Sequence, residues 1–325
     1  MIGRLAPSPT GALHIGNARS FLLAWLSVRQ QAGKLLLRIE DIDSPRVKPW
    51  ARLQTLDDLH WLGIDWDYGP DVGGPQPTYI QTERAERYRE VLQQLIDDKV
   101  VYPCHCSRNE VAAAASAPHE NANGGSPLEG IIYPGTCRPI NRPVGQVQLA
   151  SSELREFAWR WQFADSEVSW HDELLGLQRA FPARQLGDFV IGKSDWTPAY
   201  QLAVVVDDHD MEVTEIVRGD DLVPSTYRQL AILKHLGWRS PKYIHLPLVV
   251  GPDGRRLAKR HGDSRLSFYR QLGVSPQRIV GYLAWSLGLI EKPNPIEPQE
   301  LIGKLDWNRL PKNATVFDEQ WIVDR

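Results

Sequence analysis

Residues 2–17 read Ile2-Gly3-Arg4-Leu5-Ala6-Pro7-Ser8-Pro9-Thr10-Gly11-Ala12-Leu13-His14-Ile15-Gly16-Asn17, and three signals follow one another within them. Ile2 to Leu5 is a short apolar strand that Pro7 and Pro9 break. From Leu13 to Gln30 apolar residues recur at helical spacing (Leu13, Ala18, Phe21, Leu22, Trp25, Val28), and Gly33 supplies the stop. Leu35-Leu36-Leu37-Arg38-Ile39 is then a nearly continuous apolar run of strand length, as expected where helices cover both faces of a parallel sheet. Strand, turn, helix and strand make a βαβ unit, so the class is α/β. In such a sheet ligands sit beyond the carboxyl ends of the strands, and the N–H groups that open a helix attract phosphate. His14 is placed to donate to phosphate oxygens, and Gly16 removes a side chain where a flat base would lie on the backbone.

Working outward, helices are expected at about Trp50 to Leu62 and, with Thr82 as N-cap, at about Glu83 to Asp98. Residues 100–143 change character and read as an insertion: three cysteines bracket Ala112 to Ala115 and the unpackable run Asn121-Ala122-Asn123-Gly124-Gly125-Ser126-Pro127. Strands are expected near Val144 to Leu149, Phe189 to Ile191 and Leu202 to Val206, then a helix from Ser225 to Leu236 closed by Gly237. His245 to Val250 reads as a strand, Gly251-Pro252-Asp253-Gly254 as a turn, and Ser275-Pro276 as the start of an amphipathic helix to about Leu289.

The chain has 325 residues, 42% hydrophobic and 24% charged, with a formal net charge of -3. That is material for roughly two domains of about 150 residues and excludes a mini-protein, a disordered chain and a fibrous one. A nucleic-acid partner must be held by a local basic face rather than by bulk charge. No stretch approaches the ~20 apolar residues of a membrane span, so a cytoplasmic protein without a membrane partner is expected. Three cysteines, all between positions 104 and 137, argue against a disulfide framework and call for a metal test. In an extended Cys104-His105-Cys106 the two sulfurs project to one side and His105 to the other, so a fourth ligand comes from elsewhere; His119 and His105 are the chemically easier choices.

Two nucleotide motifs compete. Gly187-Asp188-Phe189-Val190-Ile191-Gly192-Lys193-Ser194 has P-loop spacing, but Phe189 to Ile191 are strand formers inside the loop and Pro198 sits where the helix should run. The other pairs the His14-Ile15-Gly16 turn with Arg255-Arg256-Leu257-Ala258-Lys259-Arg260, a cationic loop that follows a strand and a turn. Together these resemble the two ATP-binding signatures of class I aminoacyl-tRNA synthetases, with Arg256 and Ala258 departing from the usual lysine and serine and Lys259 keeping the second lysine. Arg4 to Gly11, Leu37-Arg38-Ile39-Glu40-Asp41-Ile42-Asp43, Ala199 to Asp208 and Val217-Arg218-Gly219-Asp220-Asp221-Leu222 resemble glutamyl-tRNA synthetases. Because the sequence stops some 65 residues beyond Lys259, where that family continues into a helical anticodon-reading region, the likeness narrows to the stand-alone glutamyl-queuosine tRNA(Asp) synthetase family. A truncated ordinary glutamyl-tRNA synthetase and a non-catalytic tRNA-binding paralogue stay as alternatives.

The resemblance implies a Rossmann-type parallel sheet with a zinc-binding insertion and a small helical C-terminal segment. Residues 1–99 and 186–262 would form the two catalytic halves, 100–185 the insertion and 263–325 the helical segment, with no anticodon-binding domain. It implies ATP, carried with Mg²⁺, at His14, Gly16, Asn17, Arg256, Leu257, Ala258, Lys259 and Arg260, with His14 and Lys259 catalytic. L-glutamate would sit on Arg4, Ala6, Ser8, Glu40, Tyr200 and Arg218, where a fixed guanidinium suits a carboxylate and a carboxylate suits the ammonium. One structural Zn²⁺ would be held by Cys104, Cys106, Tyr133 and Cys137. The implied partner is tRNA(Asp) carrying queuosine, and the expected state is a monomer.

Overall fold

The computed structural model describes residues 1–42, 47–116, 128–139, 157–255, 257 and 263–323. The strand expected near Val144 to Leu149 lies outside the described residues, as do Arg256, Ala258, Lys259 and Arg260. In chain order the strands are β1 (Ile2–Leu5), β2 (Lys34–Leu37), β3 (Val101–Cys104), β4 (Ala158–Trp161), β5 (Val168–Asp172), β6 (Gly176–Ala180), β7 (Phe189–Lys193), β8 (Glu215–Gly219), β9 (Lys242–Leu246), β10 (Val249–Val250) and β11 (Thr315–Val316). The helices are α1 (Ile15–Gln30), α2 (Pro49–Trp61), α3 (Ala85–Asp97), α4 (Arg108–Ser116), α5 (Pro182–Gln185), α6 (Tyr200–Asp210), α7 (Val223–Leu236), α8 (Leu266–Gln271), α9 (Pro276–Ser286) and α10 (Gln320–Val323).

The βαβ unit forms as read: β1 and β2 pair in parallel, Ile2 to Lys34 through Leu5 to Leu37, joined by α1. They belong to a six-stranded sheet of order β2-β1-β8-β9-β5-β6. All neighbours are parallel except the β5–β6 hairpin at one edge. One apolar core packs α1 and α9 against this sheet through Leu22, Leu26, Val217, Ile244, Ile279 and Leu283. A second packs α3, α6 and α7 through Leu92, Leu95, Val206 and Ile232 against an antiparallel sheet of order β3-β4-β7. Strand pairing crosses the boundary expected at residue 185 in both directions: β5 and β6 join the main sheet, while β7 pairs with β4. No helix among the described residues is long and apolar enough to cross a membrane.

Three local expectations need correction. Leu202 to Val206 is the middle of helix α6, not a strand; every residue from Leu202 to Asp208 is buried, so the run shows no amphipathic period and its β-branched composition misleads. Thr82 does not cap α3. Its N–H and hydroxyl instead hold the Asp41 carboxylate at 2.9 and 2.8 Å, a 3₁₀ turn over Gln81–Arg84 leads in, and Arg84 takes the N-cap place without a side-chain bond. The run from His245 splits at Pro247, β9 ending at Leu246 and β10 starting at Val249.

The P-loop spacing is a strand, as its composition indicated. Phe189–Lys193 is β7, and Gly187 turns at φ 69° where a Cβ would stand 2.9 Å from the Tyr133 nitrogen.

Candidate active site

A cleft of about 610 Å³ opens at the carboxyl ends of β1, β8 and β9, beside the first turn of α1. Arg4, Ala6, Ser8, Glu40, Tyr200 and Arg218 line it, as do His14, Gly16, Asn17 and Leu257. These are all ten of the residues expected for ATP and glutamate that the structure describes, brought together from positions 4 to 257.

At the helix end, His14 is the N-cap of α1. Its Nδ1 accepts the N–H of Gly16 at 3.1 Å and of Asn17 at 3.3 Å, while Asn17 Oδ1 accepts the His14 N–H at 3.4 Å, a reciprocal capping box. With Nδ1 accepting, a neutral imidazole carries its proton on Nε2, which makes it a donor. Gly16 is needed for this geometry, since a Cβ there would meet the His14 ring at 3.0 Å. The described flanks of the cationic loop are held at the same place. Ile15 N–H donates to Ser264 O and Leu266 N–H to Leu13 O, both at 2.9 Å, an antiparallel bridge across His14 and Arg265. On the other flank the Gly251–Arg255 turn is closed by bonds of 2.7 and 2.9 Å, directly after β10, whose Val249 lines the cleft.

One wall carries a dense set of buried ion pairs. Arg38, fully buried, meets Glu40 at 2.9 Å, Asp208 at 2.8 Å and Asp207 at 3.5 Å. Arg4 meets Asp208 at 3.3 Å, and Arg84 meets Asp207 and Asp210 at 2.7 Å each. Gln81 Nε2 and the Tyr88 hydroxyl add hydrogen bonds to Asp207. Burial acts to strip Arg38 of its proton, but the three carboxylates outweigh it and hold the guanidinium more firmly charged than usual. Burial pushes the Glu40 carboxyl up despite Arg38 and Arg4, so Glu40 is strained as an anion and suited to an incoming cation.

The surroundings of Arg218, on the neighbouring strand β8, are built differently. Arg218 donates from Nε to His245 Nε2 at 3.0 Å and from Nη2 to the Thr226 hydroxyl at 2.7 Å, while its Nη1 is buried and has no partner among the described residues. His245 Nδ1 stands 2.6 Å from Asp172. Burial, helped by the Arg218 charge, lowers the His245 pKa despite Asp172, so the ring is neutral near pH 7.

The thiols converge away from this cleft, off β3. Cys104, Cys106 and Cys137 place their sulfurs within 4.8 Å of one another, with Cys106 and Cys137 at 3.6 Å. Tyr133 Oη lies 3.4 Å from Cys104 Sγ and 3.9 Å from Cys106 Sγ. Thiolates bound to one zinc at about 2.3 Å stand about 3.8 Å apart in a tetrahedron, so this set fits such an ion with little movement. Burial opposes ionisation of Cys104, yet hydrogen bonds from Tyr133 and the Cys106 backbone, with Arg160 near, bring its thiol below the usual value. Cys106 is pushed up to about 11 by burial and the adjoining sulfurs of Cys137 and Cys104. Of the alternatives for the fourth place, His105 turns away to the Phe157 ring at 5.8 Å, and His119 lies outside the described residues.

Sequence reasoning missed Asp172, His245 and Thr226 behind Arg218, and the roles of Arg38, Arg84 and Asp207. Asp172 and His245 lie 73 residues apart and meet only because β5 and β9 are neighbours. The Arg38 set carried a usable signal: Arg-x-Glu in an apolar strand and an Asp-Asp pair after an apolar run are charges that burial obliges to pair.

Comparisons with known proteins agree with this layout. The family model for class I tRNA synthetases (E and Q), catalytic domain, matches residues 1–324. A Glutamyl-Q tRNA(Asp) synthetase from Symbiobacterium thermophilum is 47% identical over 323 residues, 99% of this chain and 98% of that protein. One from Rhodopirellula baltica is 46% identical over 331 residues, 97% of this chain and 96% of that protein. The glutamate-tRNA ligase of Desulforamulus reducens is 39% identical, the match covering 97% of this chain and 64% of that longer protein. The crystal structure of a glutamate tRNA ligase from Elizabethkingia meningosepticum in complex with its amino acid superposes with a TM-score of 0.84 at 26% identity, over 99% of this chain and 68% of that one. The chain therefore belongs to the class I tRNA synthetase family for glutamate and glutamine, as an aminoacyl-tRNA synthetase-like ligase in its glutamyl-Q tRNA(Asp) synthetase branch.

Proposed function

We propose that the cleft activates L-glutamate with ATP in the absence of tRNA, and that the chain then transfers glutamate to the queuosine base at the wobble position of tRNA(Asp). The observation that carries this reading is the convergence of ten residues, chosen for two different ligands, on one cleft at the carboxyl ends of parallel strands. The glutamate α-carboxylate attacks the α-phosphorus in line, a P–O bond forms, and pyrophosphate leaves with the electrons of the broken anhydride bond. No proton has to move in that step, so the rate comes from alignment and from donors aimed at the phosphate oxygens. His14 Nε2 and the Lys259 ammonium supply those donors. Gly16 and Asn17 open the helix end toward the phosphates, and Arg256, Leu257, Ala258 and Arg260 complete the ATP side. Mg²⁺ carried by the nucleotide would offset phosphate charge.

Arg4, Ala6, Ser8 and Tyr200 shape the glutamate subsite, Glu40 accepts the ammonium, and Arg218 Nη1 faces a carboxylate. A hydroxyl of the modified base then attacks the activated carbonyl; the ester C–O bond forms, the C–O bond to the phosphate breaks with its electrons going to AMP, and the hydroxyl proton passes to the departing phosphate. Proteins reach single RNA bases in loops more readily than in helices, and a wobble base is such a base. Cys104, Cys106, Tyr133 and Cys137 hold one structural Zn²⁺, and metal analysis of the purified chain is expected to find about one zinc per chain.

The test is pyrophosphate exchange without tRNA, followed by transfer of labelled glutamate to queuosine-containing tRNA(Asp) whose 3′ diol has been destroyed with periodate. Exchange dependent on glutamate and transfer that survives periodate are expected. Acceptance lost with the terminal diol identifies an ordinary glutamyl-tRNA synthetase activity, and absence of any exchange identifies a non-catalytic tRNA-binding chain.

A further inference from the structure

Three neighbouring strands, in the order β8-β9-β5, each place one residue of a buried chain near their carboxyl ends: Arg218, His245 and Asp172. Arg218 and His245 are direct cross-strand partners in the β8–β9 register. Asp172 and His245 are completely buried, as is Thr226, which grips the guanidinium from α7. Asp172 Oδ1 takes the N–H groups of Leu174 and Leu175 at 3.0 and 2.8 Å, and Oδ2 faces the His245 N–H at 3.1 Å and Nδ1 at 2.6 Å. A carboxylate can only accept, so it fixes the proton on Nδ1 and leaves the Nε2 lone pair for Arg218 Nε–H. Every direct partner of Arg218 is thus neutral: an imidazole, a hydroxyl, the Leu222 carbonyl and the face of Tyr243.

This arrangement solves a specific problem. A carboxylate placed directly on the guanidinium would hold it still but cancel the charge that a ligand needs, as Asp207 and Asp208 do for Arg38. A neutral imidazole holds the same group through its Nε–H and leaves Nη1 uncommitted. An acidic side chain entering the cleft gains a hydrogen bond there in which both partners are charged, whereas the corresponding amide brings no opposite charge to the guanidinium. We propose that Asp172 and His245 are positioning residues that fix Arg218 as an uncancelled cation for the side-chain carboxylate, and so favour an acidic amino acid over its amide; this rests on the glutamate reading above.

The test is pyrophosphate exchange without tRNA, with glutamate, glutamine and ATP varied in turn, for the wild-type chain and for His245→Leu, His245→Gln and Asp172→Asn, each checked by thermal melting. His245→Leu removes the acceptor and is expected to raise the glutamate KM by about tenfold or more, with the ATP KM within about twofold. It should also narrow the preference for glutamate over glutamine. Gln keeps an acceptor near the Nε2 position, so His245→Gln should recover most of the loss. Asp172→Asn keeps size and polarity but donates to Nδ1, which turns the Nε2 proton toward Arg218; it should behave like His245→Leu, and it carries the test if the leucine variant does not fold. A glutamate KM within about twofold of wild type in both variants overturns the proposal. Equal losses toward glutamate and ATP also overturn it, because they mean a merely structural role. Failure of the wild-type chain to exchange with glutamate overturns the glutamate reading itself and this proposal with it.

Discussion

Two neighbouring parts of the cleft wall, one backed by Arg38 and Arg84 and the other formed by Arg218, bury arginine in opposite ways. Around Arg38 and Arg84, charge is cancelled inside the protein by Glu40, Asp207, Asp208 and Asp210. Around Arg218 it is held by neutral groups and left over. The first arrangement offsets desolvation internally and has little charge to offer a ligand; the second leaves Arg218 Nη1 buried with no partner among the described residues. Buried charge therefore takes two forms here, one cancelled within the protein and one left with an unpartnered Nη1 among the described residues, and the identity of the nearest partner tells them apart. Arg19 shows a third use. Its Nη1 and Nη2 are taken by the carbonyls of Pro247 and Ser286 at 2.7 and 3.1 Å, so it ties α9 to the floor of the cleft.

The largest effect should come from breaking the framework wall. Arg38→Met leaves Asp207, Asp208 and Glu40 buried without their main cation and is expected to cost about 3–5 kcal/mol of stability in denaturant unfolding. A cost under about 1 kcal/mol would erase the distinction between the two parts. The same substitution in the other part, Arg218→Met, strands no buried anion. It should change stability by less than about 1 kcal/mol while lowering kcat/KM for glutamate in exchange by ~10–10²-fold. If it instead unfolds the protein as Arg38→Met does, the two parts are alike.

Glu40 stands where the framework meets the cleft, so it sharpens the comparison. Glu40→Gln keeps an oxygen for Arg38 Nη2 and should raise the glutamate KM by about tenfold with the ATP KM within about twofold. Equal damage to both substrates would place Glu40 wholly in the framework.

The smallest effect concerns a buried carboxyl that neither part serves. Asp58 on α2 is fully buried, with Oδ2 unpartnered among the described residues, and burial pushes it up to about 6 although Gln54 donates to Oδ1 at 2.8 Å. A carboxyl raised in the folded state contributes stability that is present below the unfolded value near 4 and is lost as pH rises through about 6. Asp58→Asn should therefore match wild type near pH 4 and melt about 2 °C or more above it at pH 7. Equal melting temperatures across that range would show that Asp58 is relieved by its surroundings.

How far the sequence alone reaches follows from range. The βαβ unit was readable because Leu13, Ala18, Leu22 and Trp25 repeat at helical spacing between two apolar runs, all within 40 residues. Helix α6 was not, because burial on all sides leaves no period to read. The cleft residues that belong to local motifs, such as His14, Gly16, Glu40 and Arg218, were found by their surroundings in sequence. His245 and Asp172 were not, since a lone histidine and a lone aspartate in strands carry no signal until sheet order makes them neighbours. The thiol cluster falls between these cases: Cys104 and Cys106 announce themselves, while Tyr133 enters only through the family resemblance, and the fold brings its hydroxyl 3.4 Å from Cys104.

On the proposed reading, the imidazole opening α1 and the Lys259 ammonium act on one nucleotide beside an acidic amino acid. Glutamate-dependent pyrophosphate exchange without tRNA, measured for wild type, His14→Ala and Lys259→Ala, tests it most directly. Robust exchange by the wild-type chain is expected, with a loss of ~10²-fold or more in each variant, the usual consequence of removing one donor to developing charge. Exchange at the wild-type rate in either variant would contradict it.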